Sequence, residues 1–220
     1  MKSKILRSAV VLLSGGLDSA TALYLAKKQG YQCQALIFDY GQRHKQEVAC
    51  AVKLAKASGS AYRILKIEFP WKGSALLDKK IKVAKKIAPG IPATYVPGRN
   101  IIFLSFALSM AEVIKAQAIF IGAHAQDYSG YPDCRGEFFK AFINMAKVGL
   151  AVKPGIKILT PLLNKTKAQI IRLGSQLGVP FNLTWSCYHE AKKPCGECDS
   201  CHYRAKGFKE AGLVDPLVNR

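Results

Sequence analysis

Long apolar runs are the first thing that this sequence lacks. The longest, residues 101–114, contains Glu112 and two serines and is too short to cross a bilayer. The run at residues 9–13 follows three cations, as in a secretory signal peptide, but it is shorter than the apolar region of such a peptide. Asp18 also stands where small uncharged residues would prepare cleavage. The sequence therefore predicts a soluble, cytoplasmic protein with no membrane segment.

Acidic side chains are scarce: 14 Asp and Glu stand against 33 Lys and Arg, which leaves a formal charge of +19 over 220 residues. Such a charge attracts polyanions, from nucleotides to RNA. Lysine-rich stretches such as residues 79–86 are equally typical of solvated helix faces. The charge alone does not choose between these interpretations.

Low-complexity linkers and internal repeats are also missing. The chain is long enough to bury a sizeable core, and half of its residues are apolar, as in ordinary globular proteins. These features predict one large domain, or one domain with a small appendage.

The seven cysteines fall into two groups. Cys33, Cys50 and Cys134 are scattered, whereas four lie in one short segment: Cys187, Cys195, Cys198 and Cys201. In a cytosolic protein, clustered thiols indicate a metal more often than a disulfide. Four thiolates suit one tetrahedral Zn²⁺ ion in a structural role, and an iron–sulfur cluster is the alternative. This segment predicts a metal site and says little about function.

Strand and helix patterns alternate along most of the chain. The periodicity predicts strands at residues 8–13, 34–38, 62–67, 118–122 and 157–159, and helices at residues 19–29, 45–57, 100–115, 137–147 and 166–178. Asn100 is the predicted N-cap of the third helix, and Thr166 with Gln169 forms a predicted capping box. The prediction is an α/β fold: a Rossmann-like parallel sheet with helices on both faces in residues 1–180, followed by a metal-binding segment in residues 181–220.

The stretch SGGLDS, residues 14–19, falls between the first strand and the first helix, where such a sheet binds anions. Gly15 and Gly16 let the backbone approach a phosphate, and Ser14 and Ser19 add hydroxyl donors. Asp18 would repel a phosphate unless Mg²⁺ lay between them. The spacing is neither that of a Walker A loop nor that of a dinucleotide-binding loop. A tight turn with a helix cap is the simpler alternative.

Three further motifs follow predicted strand ends or enter helices: FDYGQRH at residues 38–44, TYVPGRN at residues 94–100 and DYSGYPDCR at residues 127–135. Taken singly, each is also typical of turns, helix caps or surface cations. Taken together, they gather arginines, aspartates and aromatic residues around one cleft, which suits a flat, polar, anionic heterocycle.

SGGLDS resembles the PP-loop of ATP pyrophosphatases, enzymes that activate an oxygen as an adenylate. Two further motifs are TPLLNKTK and the C-terminal segments SCY and CGECDSC. Together with SGGLDS and the three motifs above, and in the same order along the chain, they closely resemble the motifs of the 7-cyano-7-deazaguanine synthase family. The resemblance covers residues 10–216. The resemblance implies an adenine nucleotide alpha-hydrolase-like fold. It also implies an ATP-dependent ligase that converts 7-carboxy-7-deazaguanine and ammonia, through activated carboxylate and amide intermediates, to the nitrile used for queuosine.

The same resemblance implies roles for individual residues. It assigns ATP to Val11, Leu12, Leu13, Ser14, Gly15, Gly16, Leu17, Asp18, Ser19 and Ala20, with Phe38 beside the adenine, and Zn²⁺ to the four clustered cysteines. Asp18, with Mg²⁺, and Ser19 and Lys167, with phosphate, are the catalytic candidates. The candidates for substrate binding are Arg43, His44, Arg99, Asn100, Asp127, Tyr131, Asp133, Cys134 and Arg135.

The implied partners are a small-molecule substrate and free ammonia, in a homodimer that does not bind RNA directly. Two alternatives stay open: a PP-loop ligase or thiolase that modifies tRNA, and a zinc-stabilised nucleic-acid-binding module without enzymatic activity. The charge of +19 favours the first of these alternatives, and SGGLDS argues against the second.

Overall fold

The computed structural model describes residues 7–43, 45–83, 90–124, 131–151, 155–189 and 193–217. Strands and helices alternate through these residues. The strands are β1 (Arg7–Leu12), β2 (Tyr31–Asp39), β3 (Ala61–Lys66), β4 (Ala118–Ile121) and β5 (Lys157–Leu159). The helices are α1 (Leu17–Lys28), α2 (Gln46–Ala57), α3 (Arg99–Val113), α4 (Gly136–Gly149), α5 (Lys167–Gln176) and α6 (Asp199–Ala211).

The strands form one parallel sheet in the order β3-β2-β1-β4-β5. After β3 the chain crosses the sheet to place β4 beside β1, so β2 and β4 flank β1 on opposite sides. The connections that leave β1 and β4 therefore diverge, and a crevice opens at their carboxyl ends. Open α/β sheets bind ligands at such a switch point.

The sheet is buried on both faces, as the predicted fold requires. Alternate residues of β1 point to opposite sides: Ala9 and Val11 pack in one apolar cluster, and Val10 and Leu12 in another. The first cluster includes residues of α1, α2, α5 and α6, and the second includes residues of α3 and α4. Since β1 is covered on both faces, its sequence is continuously apolar rather than alternating.

Helix α5 begins as its sequence predicts. The Thr166 hydroxyl accepts a hydrogen bond from the Gln169 amide at 3.2 Å, and the Gln169 side chain accepts one from the Thr166 amide at 2.9 Å. This reciprocal pair is the capping box, and it satisfies two donors that the first helical turn would leave unpaired.

The predicted N-cap of α3 is wrong. Gly98 is the cap residue, with a φ of 67°, and Asn100 lies inside the first turn. A carboxylate from a distant segment replaces the expected local cap: Asp133 Oδ2 accepts from the Asn100 amide at 3.0 Å. The Asn100 side chain instead donates to the Asp133 carbonyl oxygen at 3.0 Å. Asn100 therefore ties the segment Pro132–Cys134 to the start of α3.

The C-terminal segment packs closely on the sheet domain. Helix α6 lies against α5, and Phe181 and Phe208 belong to the same apolar cluster as Val11. The division at residue 180 stays a prediction. In the described part of the chain, no helix is both long and apolar enough to cross a membrane.

Candidate active site

A cavity of about 310 Å³ opens at the carboxyl ends of β1, β2 and β4. The first turns of α1 and α3 form part of its wall, and α5 and α6 each contribute residues near their N-termini. The phosphate loop, residues 14–19, lies at one part of this wall. An aromatic part, with Tyr40, Phe103 and Tyr131, belongs to the same cavity.

The phosphate loop is stabilised by its two serines. The Ser14 and Ser19 hydroxyl oxygens are 3.0 Å apart, and the Ser19 hydroxyl donates to the Gly16 carbonyl oxygen at 3.1 Å. The Ser14 amide donates to Ser19 Oγ at 3.2 Å. These bonds fix the turn between β1 and α1, so the serine hydroxyls already have partners within the loop.

Gly15 meets a condition that no other residue type satisfies. Its φ of 86° is in the left-handed region, and a Cβ atom there would lie 2.3 Å from the backbone oxygen of Glu47. Gly15 thus lets α2 approach the loop closely. Gly122, after β4, has a similar function, because a Cβ on it would lie 2.7 Å from the backbone of Asp18 and Ser19.

Asp18 lies at the centre of a charged cluster. Lys167 Nζ donates to its carboxylate oxygens at 2.8 and 2.9 Å, and His124 Nε2 is 3.5 Å from Oδ2. Burial raises the pKa of Asp18, but the positive charge of Lys167, the nearby His124 and the hydrogen bonds from Lys167 outweigh the effect of burial and hold the pKa below its usual 3.8. Asp18 is therefore an anion at neutral pH, as a ligand of Mg²⁺ must be.

Lys167 reaches Asp18 because α6 leaves room for it. The lysine is buried, and its side chain passes over Gly207, where a Cβ atom would lie 2.4 Å from Lys167 Cγ. Its Nζ also lies 2.8 Å from His124 Nε2. The catalytic candidates Asp18 and Lys167, 149 residues apart in sequence, thus meet in one cluster.

The aromatic part of the cavity surrounds one guanidinium group. Arg99 Nη1 donates to the Tyr40 hydroxyl at 3.3 Å, and its guanidinium carbon lies 5.9 Å from the centre of that ring. The Tyr131 hydroxyl is 2.8 Å from Thr94 Oγ1 and is also hydrogen-bonded to Tyr188. Burial raises the pKa of Tyr40 to about 12, although Arg99 opposes the shift, so its hydroxyl stays protonated.

Glu47, at the start of α2, also lines the cavity. Burial raises the pKa of its carboxyl group to about 7, against the opposing charge of Arg99. The sequence prediction missed Glu47, which lies within a segment read as an ordinary helix. It missed His124 as well, and only the position of β4 beside β1 brings that residue to Asp18.

Most of the predicted site residues line the cavity: Leu12, Leu13, Ser14, Gly16, Leu17, Asp18, Ser19, Phe38, Arg99, Asn100, Tyr131, Cys134 and Lys167. The ring of Phe38 stacks on that of Phe103, with centroids 3.8 Å apart. Burial raises the pKa of the Cys134 thiol to about 11, so this group is protonated at neutral pH.

Six predicted residues are not in the cavity lining: Val11, Gly15, Ala20, Arg43, Asp133 and Arg135. Arg43 instead donates to the carbonyl oxygens of Asp78 and Ile81, at 3.1 and 3.3 Å, and so holds the loop after β3. The Asp133 carboxylate accepts a hydrogen bond from the Asn100 amide. His44 and Asp127 lie outside the described residues.

The four clustered cysteines form a candidate metal site. Their sulfur atoms all lie within 4.8 Å of one another, and Cys195 and Cys201 are 3.9 Å apart. A tetrahedral Zn–S bond of ~2.3 Å requires sulfur atoms roughly 3.8 Å apart, so this spacing fits. Backbone amides of His189 and Cys195 donate to Cys187 Sγ at 3.3 and 3.4 Å, which suits thiolate ligands.

This candidate metal site is connected to the phosphate loop through Trp185. The Trp185 amide donates to the Gly15 carbonyl oxygen at 2.9 Å, and its indole nitrogen donates to the carbonyl oxygen of Cys187 at 2.9 Å. Buried Arg204 holds the same segment by donating to Thr184 Oγ1 at 2.8 Å while pairing with Asp215 at 2.6 Å. The ligand segment and the loop are therefore one hydrogen-bonded unit.

The sheet order and this cavity define the class of protein: an α/β nucleotide-binding fold of the PP-loop type, with a four-cysteine candidate metal site beside the loop. Two solved structures share the fold. A predicted subunit of a tRNA methyltransferase from Methanocaldococcus jannaschii is 18% identical, with a TM-score of 0.52 over 96% of this chain and 91% of that one. A 4-thiouridine synthetase–RNA complex with bound ATP is 17% identical, with a TM-score of 0.54 over 94% of this chain and 50% of that one.

The family is shown by closer relatives. The model of the family described as "Queuosine biosynthesis protein QueC" matches residues 8–212. Proteins named 7-cyano-7-deazaguanine synthase are similar over almost their whole length: 53% identity in Acetivibrio thermocellus, covering 96% of this chain and 97% of the relative, and 52% in Legionella pneumophila, covering 96% of each. The chain belongs to the QueC family and is an enzyme.

Proposed function

We propose that this enzyme converts 7-carboxy-7-deazaguanine and ammonia to 7-cyano-7-deazaguanine with consumption of ATP. The observation that carries the proposal is that one cavity joins the Asp18–Lys167 cluster to the aromatic part around Arg99. Such a cavity has room for a nucleotide phosphate next to a flat, anionic base. The relatives of about 50% identity bear the name of this activity.

The proposed reaction begins by activating a poor electrophile. The substrate carboxylate attacks the α-phosphorus of ATP, and pyrophosphate leaves with the electrons of the broken P–O bond. Ammonia then attacks the acyl carbon and displaces AMP, and the primary amide results after loss of one proton. The amide oxygen then attacks the α-phosphorus of a second ATP, pyrophosphate leaves, and the nitrogen loses one proton to give an adenylated imidate. Departure of AMP with the electrons of the C–O bond, together with loss of the second N–H proton, leaves the nitrile. Each nitrile consumes two ATP.

The residues of this chain would act mainly by positioning and by charge. Loop amides, Ser14, Ser19 and Lys167 would hold phosphate oxygens. Val11 to Ala20 would form the ATP strip, with Phe38 near the adenine. Asp18, ionised at neutral pH, would hold Mg²⁺, which when bound offsets phosphate charge. Lys167 would then exchange its bonds to Asp18 for bonds to phosphate.

We assign Zn²⁺ to the cysteine cluster in a structural role, supported by four sulfur ligands and no further protein ligand needed. Arg99, Asn100, Tyr131 and Cys134 line the aromatic part and would contact the base. None of three further candidates lines the cavity: Arg43, Asp133 and Arg135. They would support the residues of the aromatic part without contacting the base.

The test of the function is mass spectrometry after incubation with ATP, Mg²⁺, ammonia and 7-carboxy-7-deazaguanine. We expect the amide early and the nitrile late, with AMP and pyrophosphate as the nucleotide products. Absence of both base products, in protein that retains its metal, would overturn the proposal. ADP as the sole nucleotide product would overturn adenylation.

The same assay separates the RNA-modifying alternative. We expect no modification of tRNA and no tRNA binding that survives physiological salt, because a binding constant that depends only on the charge of +19 falls steeply with salt. A tRNA gel shift that persists at 0.2 M salt and exceeds that of DNA would instead favour an enzyme acting on RNA.

We also propose that the enzyme is a homodimer that uses free ammonia. Helix α3 supports the first point, since it leaves Ile101, Phe106 and Val113 exposed by 48%, 41% and 80%. Light scattering should give twice the chain mass of 24.0 kDa, and Phe106→Asp should shift it toward the monomer. A wild-type mass of one chain would refute the dimer. Turnover that required a glutamine-hydrolysing partner would refute free ammonia.

A further inference from the structure

Glu47 lines the cavity but has no role in the reaction proposed above. Glu47 lies in the first turn of α2, its backbone oxygen packs against Gly15, and its side chain lies in the field of Arg99. Within the described ranges, its carboxyl oxygens have no hydrogen-bond donor and no cation at bonding distance. A partly buried carboxyl group in that state can accept hydrogen bonds from a ligand.

The other acidic side chains that the structure describes in the cavity lining are Asp18 and Asp199. Asp18 already accepts two hydrogen bonds from Lys167. Asp199 follows the metal-ligand candidate Cys198 at the start of α6. Of these three carboxyl groups, Glu47 alone is coupled to the Arg99 and Tyr40 pair of the aromatic part.

The raised pKa of Glu47, about 7, is consistent with a carboxyl group that receives hydrogen bonds only when a ligand is bound. Burial raises the pKa of Glu47, and the charge of Arg99 only partly offsets the effect. Ligand N–H groups directed at the carboxylate would stabilise its charged form. Arg99 lines the same cavity and carries guanidinium donors. The cavity wall therefore offers both a donor and an acceptor to a ligand.

We propose that Glu47 is a specificity-determining residue that accepts hydrogen bonds from the ring N–H and the exocyclic amino group of the substrate's 2-aminopyrimidinone edge. This assignment rests on the proposed function for the identity of the base. The two N–H groups of that edge are parallel and match the two oxygens of a carboxylate. The carbonyl oxygen next to the ring N–H is an acceptor for Arg99. A base without the amino group leaves one Glu47 oxygen unsatisfied.

The experiment is calorimetric binding without turnover. Wild-type enzyme and Glu47→Gln are titrated with 7-carboxy-7-deazaguanine and with its analogue lacking the 2-amino group. We expect the wild type to bind the analogue roughly 100-fold more weakly, because one oxygen of the carboxylate then loses its hydrogen bond in the complex. Glu47→Gln should lose about 100-fold for the full base and less than about 5-fold for the analogue, so the two losses are not additive.

Glu137→Gln is the matched control, because Glu137 is also a first-turn glutamate but lies exposed on α4, away from the cavity. It should bind both bases as the wild type does. ATP binding should be equal in all three proteins, which shows that the phosphate loop is intact. The comparison of two ligands on the wild type needs no variant and tests the idea even if Glu47→Gln unfolds.

Equal affinity of the wild type for both bases would overturn the inference. So would an equal loss for both bases in Glu47→Gln, because that pattern belongs to a structural residue. If the wild type makes the nitrile but does not distinguish the two bases, the role of Glu47 fails and the proposed function stands. If it neither binds nor converts the full base, both fail.

Discussion

Replacing Gly15 and Gly16 of the phosphate loop by alanine, one at a time, should have two different effects. Gly15→Ala should lower the stability of the fold, and Gly16→Ala should weaken the binding of ATP. At Gly15, an alanine must adopt a φ of 86°, which costs about 1–2 kcal/mol. Its Cβ would lie 2.3 Å from the Glu47 backbone oxygen, about 1 Å too close, and relieving such overpacking costs about 1–3 kcal/mol. The sum is about 2–5 kcal/mol of the free energy of unfolding, or a fall in Tm of roughly 4–20 °C for a chain of this size.

Gly16→Ala is the matched change with the opposite expectation. Gly16 has a φ of −81°, and its Cβ would meet only Ser14 Oγ at 3.5 Å and the Trp185 carbonyl oxygen at 3.7 Å. The Tm should therefore stay within about 2 °C, since surface changes of this kind cost within ~0.5 kcal/mol. The added methyl group lies among residues that line the cavity, so ATP should bind at least about tenfold more weakly, a loss of ~1.4 kcal/mol.

Thermal denaturation and ATP calorimetry on both variants test this reasoning. A Gly15→Ala protein that melts within 1 °C of the wild type would refute the argument from φ and close approach. A Gly16→Ala protein with unchanged ATP affinity would show that this part of the loop does not face the nucleotide. Little ATP binding by the wild type as well would favour a binding module without ATP chemistry.

The remaining predictions concern the charged cluster around Asp18, the metal at the four cysteines and the pH dependence of base binding. Asp18→Ala should abolish turnover and leave the metal content unchanged, checked by product and metal analysis; retained turnover would contradict the role of Asp18. The pKa of Asp18 lies below 3.8, so the stability it contributes is present above that pH and is lost as the pH falls further, and acid melting curves of Asp18→Asn should lack this loss. Chelating the metal should lower both the Tm and the ATP affinity, because Trp185 links Cys187 to Gly15; unchanged ATP affinity would contradict that link. Binding of the base should tighten about tenfold from pH 6 to pH 8 as Glu47 ionises, and this dependence should vanish in Glu47→Gln.

Local patterns predicted the fold well, because adjacent residues determine them. Apolar runs predicted the buried strands. Thr166 and Gln169, three residues apart, predicted the start of α5. The cap of α3 failed because its acceptor, Asp133, comes from 33 residues away in sequence. Helix α6 was missed because its segment is polar and was interpreted only through its cysteines.

The site was predictable where a motif is contiguous and not where it depends on packing. SGGLDS and the four cysteines are local patterns, and their residues gather as expected. Glu47 and His124 belong to no pattern of their own. Each comes to the site through the approach of another element to the loop, α2 at Gly15 and β4 at Gly122. Such contacts follow from strand order and helix packing, which spacing along the chain does not contain.

The phosphate loop is held from three sides by backbone atoms, and this explains why distant segments matter to it. The Glu47 carbonyl oxygen packs against Gly15, Gly122 packs against the first turn of α1, and the Trp185 amide bonds to the Gly15 carbonyl oxygen. None of these contacts involves a flexible side chain end, so the loop has little freedom to rearrange when a ligand enters. A rigid set of donors stabilises phosphate charge without reorganisation, which is the condition for electrostatic catalysis. The segment that carries the four cysteines is one of those three supports, so a metal ion held there would influence the geometry of the loop without contacting a ligand of the loop.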